Sequence, residues 1–178
     1  MNRTAALDSN ALTYLLDAFA EGYLPRTDPD PIAPERLAMF QAFCYSGYQF
    51  WVSPTVRAEY LRIGNLAKRE THDRWARYHL HDVEPDVPDS ILGSRVVVLQ
   101  QRHSDIDDCR ILAEAEAVQA DIVLTSDADF VADLHAATEV LLMRPTEFLT
   151  SLNIAPNSPP CIRPAKGNPL AHETWWHL

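Results

Sequence analysis

The sequence predicts an α/β protein of the three-layer sandwich class, with a mainly parallel central sheet flanked by helices. Short apolar or β-branched runs alternate with longer segments in which apolar residues recur at helical spacing. This alternation is typical of a parallel sheet, because a crossover helix joins each strand to the next. A hydrophobic content of 47% in 178 residues is also enough for one core. We therefore expect one domain followed by a tail.

The first half of the chain predicts two strands and four helices. Apolar residues recur at helical spacing from Leu12 to Tyr23. Ser53 and Pro54 are typical of a helix N-cap and a first helical residue. The predicted elements are a strand at 3–7, a helix at 10–24, a Pro-rich loop at 25–34, a helix at 35–47, a strand at 48–52, a helix at 54–64 and a basic helix at 65–82.

The second half predicts three more strands and three helices. The run RVVVLQ is rich in β-branched residues and predicts a buried strand. Ser104, with Asp107 three residues later, resembles a capping box and predicts the start of an Ala-rich helix. The predicted elements are a strand at 95–100, a helix at 104–119, a strand at 121–125, a short helix at 128–136, a strand at 139–143 and a helix from 145. Five prolines at 156–169 predict an extended tail.

Composition limits the classes of function. A formal net charge of −10 argues against a protein that coats nucleic acid, although six of the fifteen basic residues lie at positions 57–77. Three widely spaced cysteines indicate neither a disulfide framework nor a structural zinc site. Because no apolar run is long enough to cross a bilayer, we expect a cytoplasmic protein without membrane contact.

Acidic residues follow several predicted strands. Asp8 ends the first strand, Asp127 and Asp129 follow the strand at 121–125, and Asp108 follows the strand at 95–100 by way of a helix start. The carboxyl ends of parallel strands share one edge of a sheet, so these acids should meet there. Glu59 lies near the apolar stripe of its helix and should point to the same place.

Carboxylates brought together in this way suit a divalent cation, because hard oxygen ligands favour magnesium or manganese. Each acid also has a structural interpretation. Asp8 could cap the first helix, Asp108 could complement a helix dipole, and Asp127 and Asp129 could belong to a turn. Spacing alone leaves both interpretations open.

Three segments resemble the PIN-domain ribonucleases: LDSNAL, then DDCRILAEAEAVQADIVLTSDADF, then RPTEFL. The resemblance covers roughly residues 3–150 and implies a PIN-like nuclease domain at 1–150, with a Pro-rich insertion at 25–34 and a C-terminal extension at 151–178. The resemblance implies catalytic roles for Asp8, Glu59, Asp108 and Asp127, metal binding by Asp8, Asp108, Asp127 and Asp129, and polar support from Asn10 and Thr125.

The resemblance further implies a divalent-metal-dependent endoribonuclease that uses Mg²⁺ or Mn²⁺ to cleave single-stranded RNA. The basic helix would contact phosphates through Lys68, Arg69, Arg74 and Arg77. Its aromatic residues, Trp75 and Tyr78, could stack on bases or belong to the core. Many bacterial members are VapC-like toxins held by an antitoxin, which makes an antitoxin a candidate partner. Dimerisation is common among these toxins, so a homodimer is a further candidate, although no residue pattern of this chain indicates one.

Two other functions remain open from the sequence. The first is a non-catalytic RNA- or protein-binding module, in which Trp175 and Trp176 of the tail dock on a partner or fold back on the core. The second is an Asp-based phosphohydrolase, suggested by the Asp127-Ala128-Asp129 sequence after a strand.

Overall fold

A computed structural model describes residues 3–20, 30–81 and 83–178, and its sheet confirms the predicted fold class. Within these ranges, four parallel strands lie in the order β2-β1-β3-β4. The strands are β1 (Thr4–Leu7), β2 (Gln49–Val52), β3 (Ile122–Leu124) and β4 (Leu141–Met143). Helices cover both faces of this sheet.

The helices in the described residues are α1 (Ser9–Ala20), α2 (Ala33–Tyr45), α3 (Pro54–Tyr60), α4 (Leu66–His79), α5 (Asp89–Leu99), α6 (Ile106–Ala117), α7 (Ala128–Leu134) and α8 (Pro145–Ser151). Short 3-10 turns follow at His135–Ala137 and Pro169–His172. The predicted helix end at 21–24 and most of the Pro-rich loop, 25–29, lie outside the described residues.

Side chains of successive strand residues point to opposite faces of the sheet, which creates two cores. Ala5 and Leu7 of β1 pack with α1, α2 and α8, whereas Ala6 between them packs with α5, α6 and α7. In β3, Val123 shares the second core with Phe130 of α7. The three layers therefore follow from the two-residue period of the strands.

The predicted strand at 95–100 is wrong, because this segment belongs to α5. Leu92, Val96 and Leu99 are buried at helical spacing, and Val97 and Val98 are 60% and 49% exposed. A β-branched run resembles a buried strand in sequence, but here only one side of it faces the core. Asp108 therefore does not follow a strand.

Helix starts show where local sequence predicted the cap correctly and where it did not. The Ser53 side chain accepts a hydrogen bond from the Val56 N–H at 3.2 Å, which confirms the predicted N-cap of α3. The predicted cap at Ser104 is wrong. Asp105 caps α6, because its Oδ1 accepts hydrogen bonds from the N–H groups of Asp107 and Asp108 at 2.8 and 3.3 Å.

The tail folds back on its own chain. Leu170 and Trp176 are 1% and 3% exposed within the core that contains α2. The Gln41 side chain of α2 donates a hydrogen bond to the Trp176 carbonyl at 3.3 Å, and the Ile162 N–H donates one to the Cys44 carbonyl at 3.0 Å. Of the two interpretations of the tail, packing on the core is the one observed.

No helix in the described ranges is both long enough and apolar enough to span a membrane.

Candidate functional site

The carboxyl edge of the sheet, where β1 and β3 end side by side, carries Asp8 and Asp127. The Asp8 N–H donates a hydrogen bond to the Leu124 carbonyl at 3.1 Å, which extends the pairing of the two strands by one residue. Asp8 is 4% exposed. Asp127 is half-buried three residues beyond β3 and caps α7. Two separate chain segments therefore bring carboxylates to one edge.

Burial raises the pKa of Asp8 to about 6, and the charge of Asp108 adds to this rise. Hydrogen bonds from the Ala11 N–H and the Thr125 side chain oppose it. Thr125, the residue predicted as a polar support, is fully buried and makes this contact to Asp8 with its side chain. Asn10 is exposed, and its support of Asp8 comes through its backbone N–H.

Asp108 reaches the same edge from the first turn of α6. Burial raises its pKa, the charges of Asp105 and Asp127 add to this rise, and His103 opposes it. Asp108 also raises the pKa values of Asp8 and Glu59. It is therefore the common electrostatic neighbour of the other three predicted acids.

Glu59 comes from α3. Burial raises its pKa to about 7, the charges of Asp107 and Asp108 raise it further, and Arg62 opposes the shift. The Ser9 hydroxyl donates a hydrogen bond to Glu59 Oε2, which joins α3 to the start of α1. We call Asp8, Glu59, Asp108 and Asp127 the acid cluster.

A buried carboxylate outside the acid cluster holds α3 against α6. Glu114 of α6 is 2% exposed. Its two oxygens accept hydrogen bonds from the Thr55 N–H at 3.1 Å and the Thr55 hydroxyl at 2.8 Å. Because Thr55 and Glu59 share α3, and Glu114 and Asp108 share α6, this contact sets the relative position of the two acids. Sequence reasoning did not identify Glu114, since nothing in its helical spacing distinguishes it from a solvated glutamate.

Asp129 is less closely associated with the acid cluster than predicted. It is exposed on the first turn of α7, and its N–H donates a hydrogen bond to Asp127 Oδ1 at 2.8 Å. The Phe130 N–H donates to the same oxygen at 3.1 Å. Asp127 therefore caps α7 and also belongs to the acid cluster.

The acid cluster has the donor chemistry of a magnesium or manganese site, because carboxylate oxygens are hard ligands and the charge of a neighbouring acid adds to the raised pKa of Asp8, Glu59 and Asp108. In the arrangement described for residues 3–20, 30–81 and 83–178, however, no three His, Cys, Asp or Glu side chains form a group that could hold a metal ion. Three of the four carboxylates instead accept hydrogen bonds from protein N–H or O–H groups, and Asp108 contacts His103.

The basic helix α4 packs against α1 and α3, next to the helix that carries Glu59. Lys68, Arg74 and Arg77 are exposed, and Arg69 is half-buried. Arg77 forms an ion pair with Asp73 at 2.9 Å. The two aromatic residues of α4 differ. Trp75 stacks on Phe19 with ring centroids 4.2 Å apart, whereas Tyr78 is 78% exposed.

No family model and no curated protein sequence matches the chain. A solved structure of VapBC2 from Rickettsia felis, bound to a DNA fragment from its promoter, is similar with a TM-score of 0.50 and 15% identity, over 79% of this chain and 98% of that chain. The fold is PIN-like. FitAcB from Neisseria gonorrhoeae is similar with a TM-score of 0.46 and 16% identity, over 79% of this chain and 97% of that one. A PIN-like fold at such low identity leaves the chemistry to be argued from the side chains.

Proposed function

We propose that the protein is a divalent-metal-dependent endoribonuclease that hydrolyses phosphodiester bonds in single-stranded RNA. The observation that carries this proposal is the raised pKa of Asp8, Glu59 and Asp108, three buried or half-buried acids from separate segments. Burial is the main cause for each of them, and the charge of a neighbouring acid adds to it. Acids that disfavour one another's charge gain free energy from a cation between them. Perturbed carboxylates in one place are also typical of functional sites.

Buried acids elsewhere in the chain provide the contrast. Glu35 is 6% exposed, but it pairs with Arg144 at 3.1 Å and accepts two hydrogen bonds from Thr146. The charged side chain that acts on Asp8 is instead another acid, Asp108. The counter-charge of Glu35 is thus the Arg144 side chain of the same protein. Asp8 is the better candidate for binding an added cation.

Asp8, Asp108 and Asp127 would bind Mg²⁺ or Mn²⁺, with Glu59 beside them and Asp129 as an auxiliary acid. A bound ion would supply hydroxide near neutral pH and offset negative charge on the scissile phosphate. Thr125 and the Ala11 N–H hold the Asp8 carboxylate in place, and the Ser9 hydroxyl holds that of Glu59.

Helix α4 would supply the contacts to the RNA backbone. Lys68 and Arg74 are exposed on it, and the exposed ring of Tyr78 could stack on a base. Arg69 and Arg77 would add charge, whereas Trp75 contributes to the core through Phe19. On a chain with a net charge of −10, this helix offers local attraction for phosphates.

The resemblance to VapC-like proteins extends the proposal to the toxin of a toxin–antitoxin pair, with an antitoxin as a protein partner and a homodimer as the assembly. If inducing expression of the protein in a bacterial culture arrests growth, and Asp8→Asn abolishes the arrest, the toxin role is supported. An induced culture that grows normally with active enzyme would contradict it.

A non-catalytic binding module is the second candidate, and a specific observation favours it. Within the described part of the chain, the acids are not arranged as a group of three around one point. A protein that binds RNA through α4 without cutting it would need no such group.

The experiment that separates these functions is cleavage of a mixed-sequence single-stranded RNA by purified protein with Mg²⁺, Mn²⁺ or a chelator. We expect metal-dependent cleavage that falls by more than about 100-fold in Asp8→Asn and Asp127→Asn, beyond the 10 to 100-fold typical of residues that only support a metal ligand. Asp86→Asn, which changes an exposed aspartate elsewhere, should cleave like the wild type. Equal cleavage by all four proteins would indicate a contaminant, and binding of RNA without cleavage would favour the second candidate.

A further inference from the structure

His103 is a buried histidine between two carboxylates. It lies in the turn between α5 and α6 and is 7% exposed. Its Nε2 lies 3.0 Å from Asp108 Oδ2, and its Nδ1 lies 3.0 Å from Asp133 Oδ2. Both ring nitrogens are therefore committed to acids.

The ring is also fixed by its other neighbours. It stacks on Phe130, with centroids 5.9 Å apart and an angle of 23° between the planes. The His103 N–H donates a hydrogen bond to the Leu99 carbonyl at 3.1 Å, and the Cys109 thiol donates one to the His103 carbonyl at 3.6 Å. With backbone and ring both held, the position of Nε2 dictates where Asp108 Oδ2 can lie.

His103 links the two segments that bring Asp108 and Asp127 to the carboxyl edge. Asp108 is in the first turn of α6, whereas Asp133 lies on α7, the helix that Asp127 caps. Phe130 belongs to the same helix, and its N–H donates to Asp127 Oδ1. One imidazole thus joins the start of α6 to the helix that begins at Asp127.

A purely structural ion pair is the simpler interpretation, and it has a weakness. The Asp133 side chain is 43% exposed, so its contact alone contributes little to stability. An apolar residue at position 103 would fill the space against Phe130 without burying a polar ring. The arrangement is instead what a side chain needs in order to orient Asp108, the acid whose charge acts on Asp8 and Glu59 of the acid cluster.

We propose that His103 is a positioning residue for the cation-binding acids, holding Asp108 Oδ2 on one side and, through Asp133, helix α7 on the other. This inference rests on the proposed function, because it assigns His103 to the same acid cluster. It gives the protein a supporting contact of the kind that orients metal ligands, whose removal typically costs 10 to 100-fold in metal affinity.

The test is isothermal titration calorimetry, in which Mn²⁺ alone is added to the metal-free protein. We expect the dissociation constant to rise at least tenfold in His103→Gln and by a smaller factor in Asp133→Asn. The double variant should bind like His103→Gln, because Asp133 acts through the ring. His135→Gln is the matched control, since His135 is exposed on the turn after α7 and contacts the carbonyls of Val131 and Ala132.

The outcomes separate this inference from the function beneath it. A wild type that binds no Mn²⁺ would overturn the proposed function and this inference together. If the wild type binds Mn²⁺ and His103→Gln binds it with the same affinity, the inference alone is overturned. A lowered melting temperature of His103→Gln without a change in its Mn²⁺ affinity would overturn the inference in the same way. If His103→Gln fails to fold, Asp133→Asn decides, because it changes a partly exposed side chain: unchanged affinity there would overturn the inference.

Discussion

The two edges of the sheet differ in how their charged side chains are paired. The amino edge, where the strands begin, has a wide groove of about 1030 Å³ lined by residues such as Arg3, Tyr48 and Asp121. Three of the charged side chains that line it have hydrogen-bond partners. Arg95 binds Glu116 through two hydrogen bonds of 2.7 Å, and Asp121 accepts one from the Thr4 N–H at 2.7 Å. The carboxyl edge has the acid cluster instead. The groove at the amino edge is thus not where unpaired acids gather.

The pKa shifts express the same difference. The hydrogen bond to Glu116 raises the pKa of Arg95, so the protein stabilises the charged form of that base. Burial raises the pKa of Asp8, so the protein destabilises the charged form of that acid. A raised pKa therefore means a stabilised charge on Arg95 at the amino edge and a destabilised charge on Asp8 at the carboxyl edge. Of these two edges, only the carboxyl edge would be stabilised by an added cation.

The largest expected effect is on stability at neutral pH without metal. The folded-state pKa of Asp8 is about 6 against an ordinary 3.8, so between these values the folded state binds more protons than the unfolded state. The free energy of unfolding should fall as pH rises through this window, by at most about 3 kcal/mol from Asp8. In chelator at pH 7, urea denaturation should find Asp8→Asn more stable than the wild type.

The matched variant at the amino edge is Glu116→Gln. It removes one charge of a paired couple, so it should lower the free energy of unfolding by about 1 kcal/mol at the same pH. The comparison of the edges would fail if both variants changed stability in the same direction.

A smaller effect is expected from α4. Lys68→Gln combined with Arg74→Gln should raise the KM for single-stranded RNA by roughly 3 to 10-fold and leave kcat unchanged. The salt dependence of binding should weaken by about 0.7 in logarithmic slope for each phosphate that the variant no longer neutralises. Arg163→Gln combined with Lys166→Gln removes the same charge from two exposed positions in the tail and is the control. Equal changes in both double variants would assign the attraction to overall charge.

Much of the architecture was predictable because strand order and strand ends follow simple rules. The alternation of strands and helices predicts a parallel sheet, and the rule that parallel strands end at one edge brings Asp8 and Asp127 together. Both acids follow directly or closely on short apolar strands, β1 and β3, that the sequence reveals.

Other features depend on contacts that local sequence does not contain. The run at 95–100 has the composition of a strand, and its burial on one side appears only when α5 packs on α6. Ser104 and Asp105 are both good capping residues, so their order alone does not choose between them. His103 has no periodic pattern around it, and its partner Asp133 lies thirty residues away. The return of Trp176 to α2 is equally non-local.

The central claim is that the acid cluster binds a divalent cation, and the melting temperature in chelator and in Mn²⁺ tests it most directly. At about 100 times the dissociation constant, Mn²⁺ should stabilise the wild type by about 2.7 kcal/mol, or roughly 5 to 10 °C. Glu116→Gln should gain as much, and Asp8→Asn should gain little or nothing. A wild type that Mn²⁺ does not stabilise, or an equal gain in Asp8→Asn, would contradict the claim.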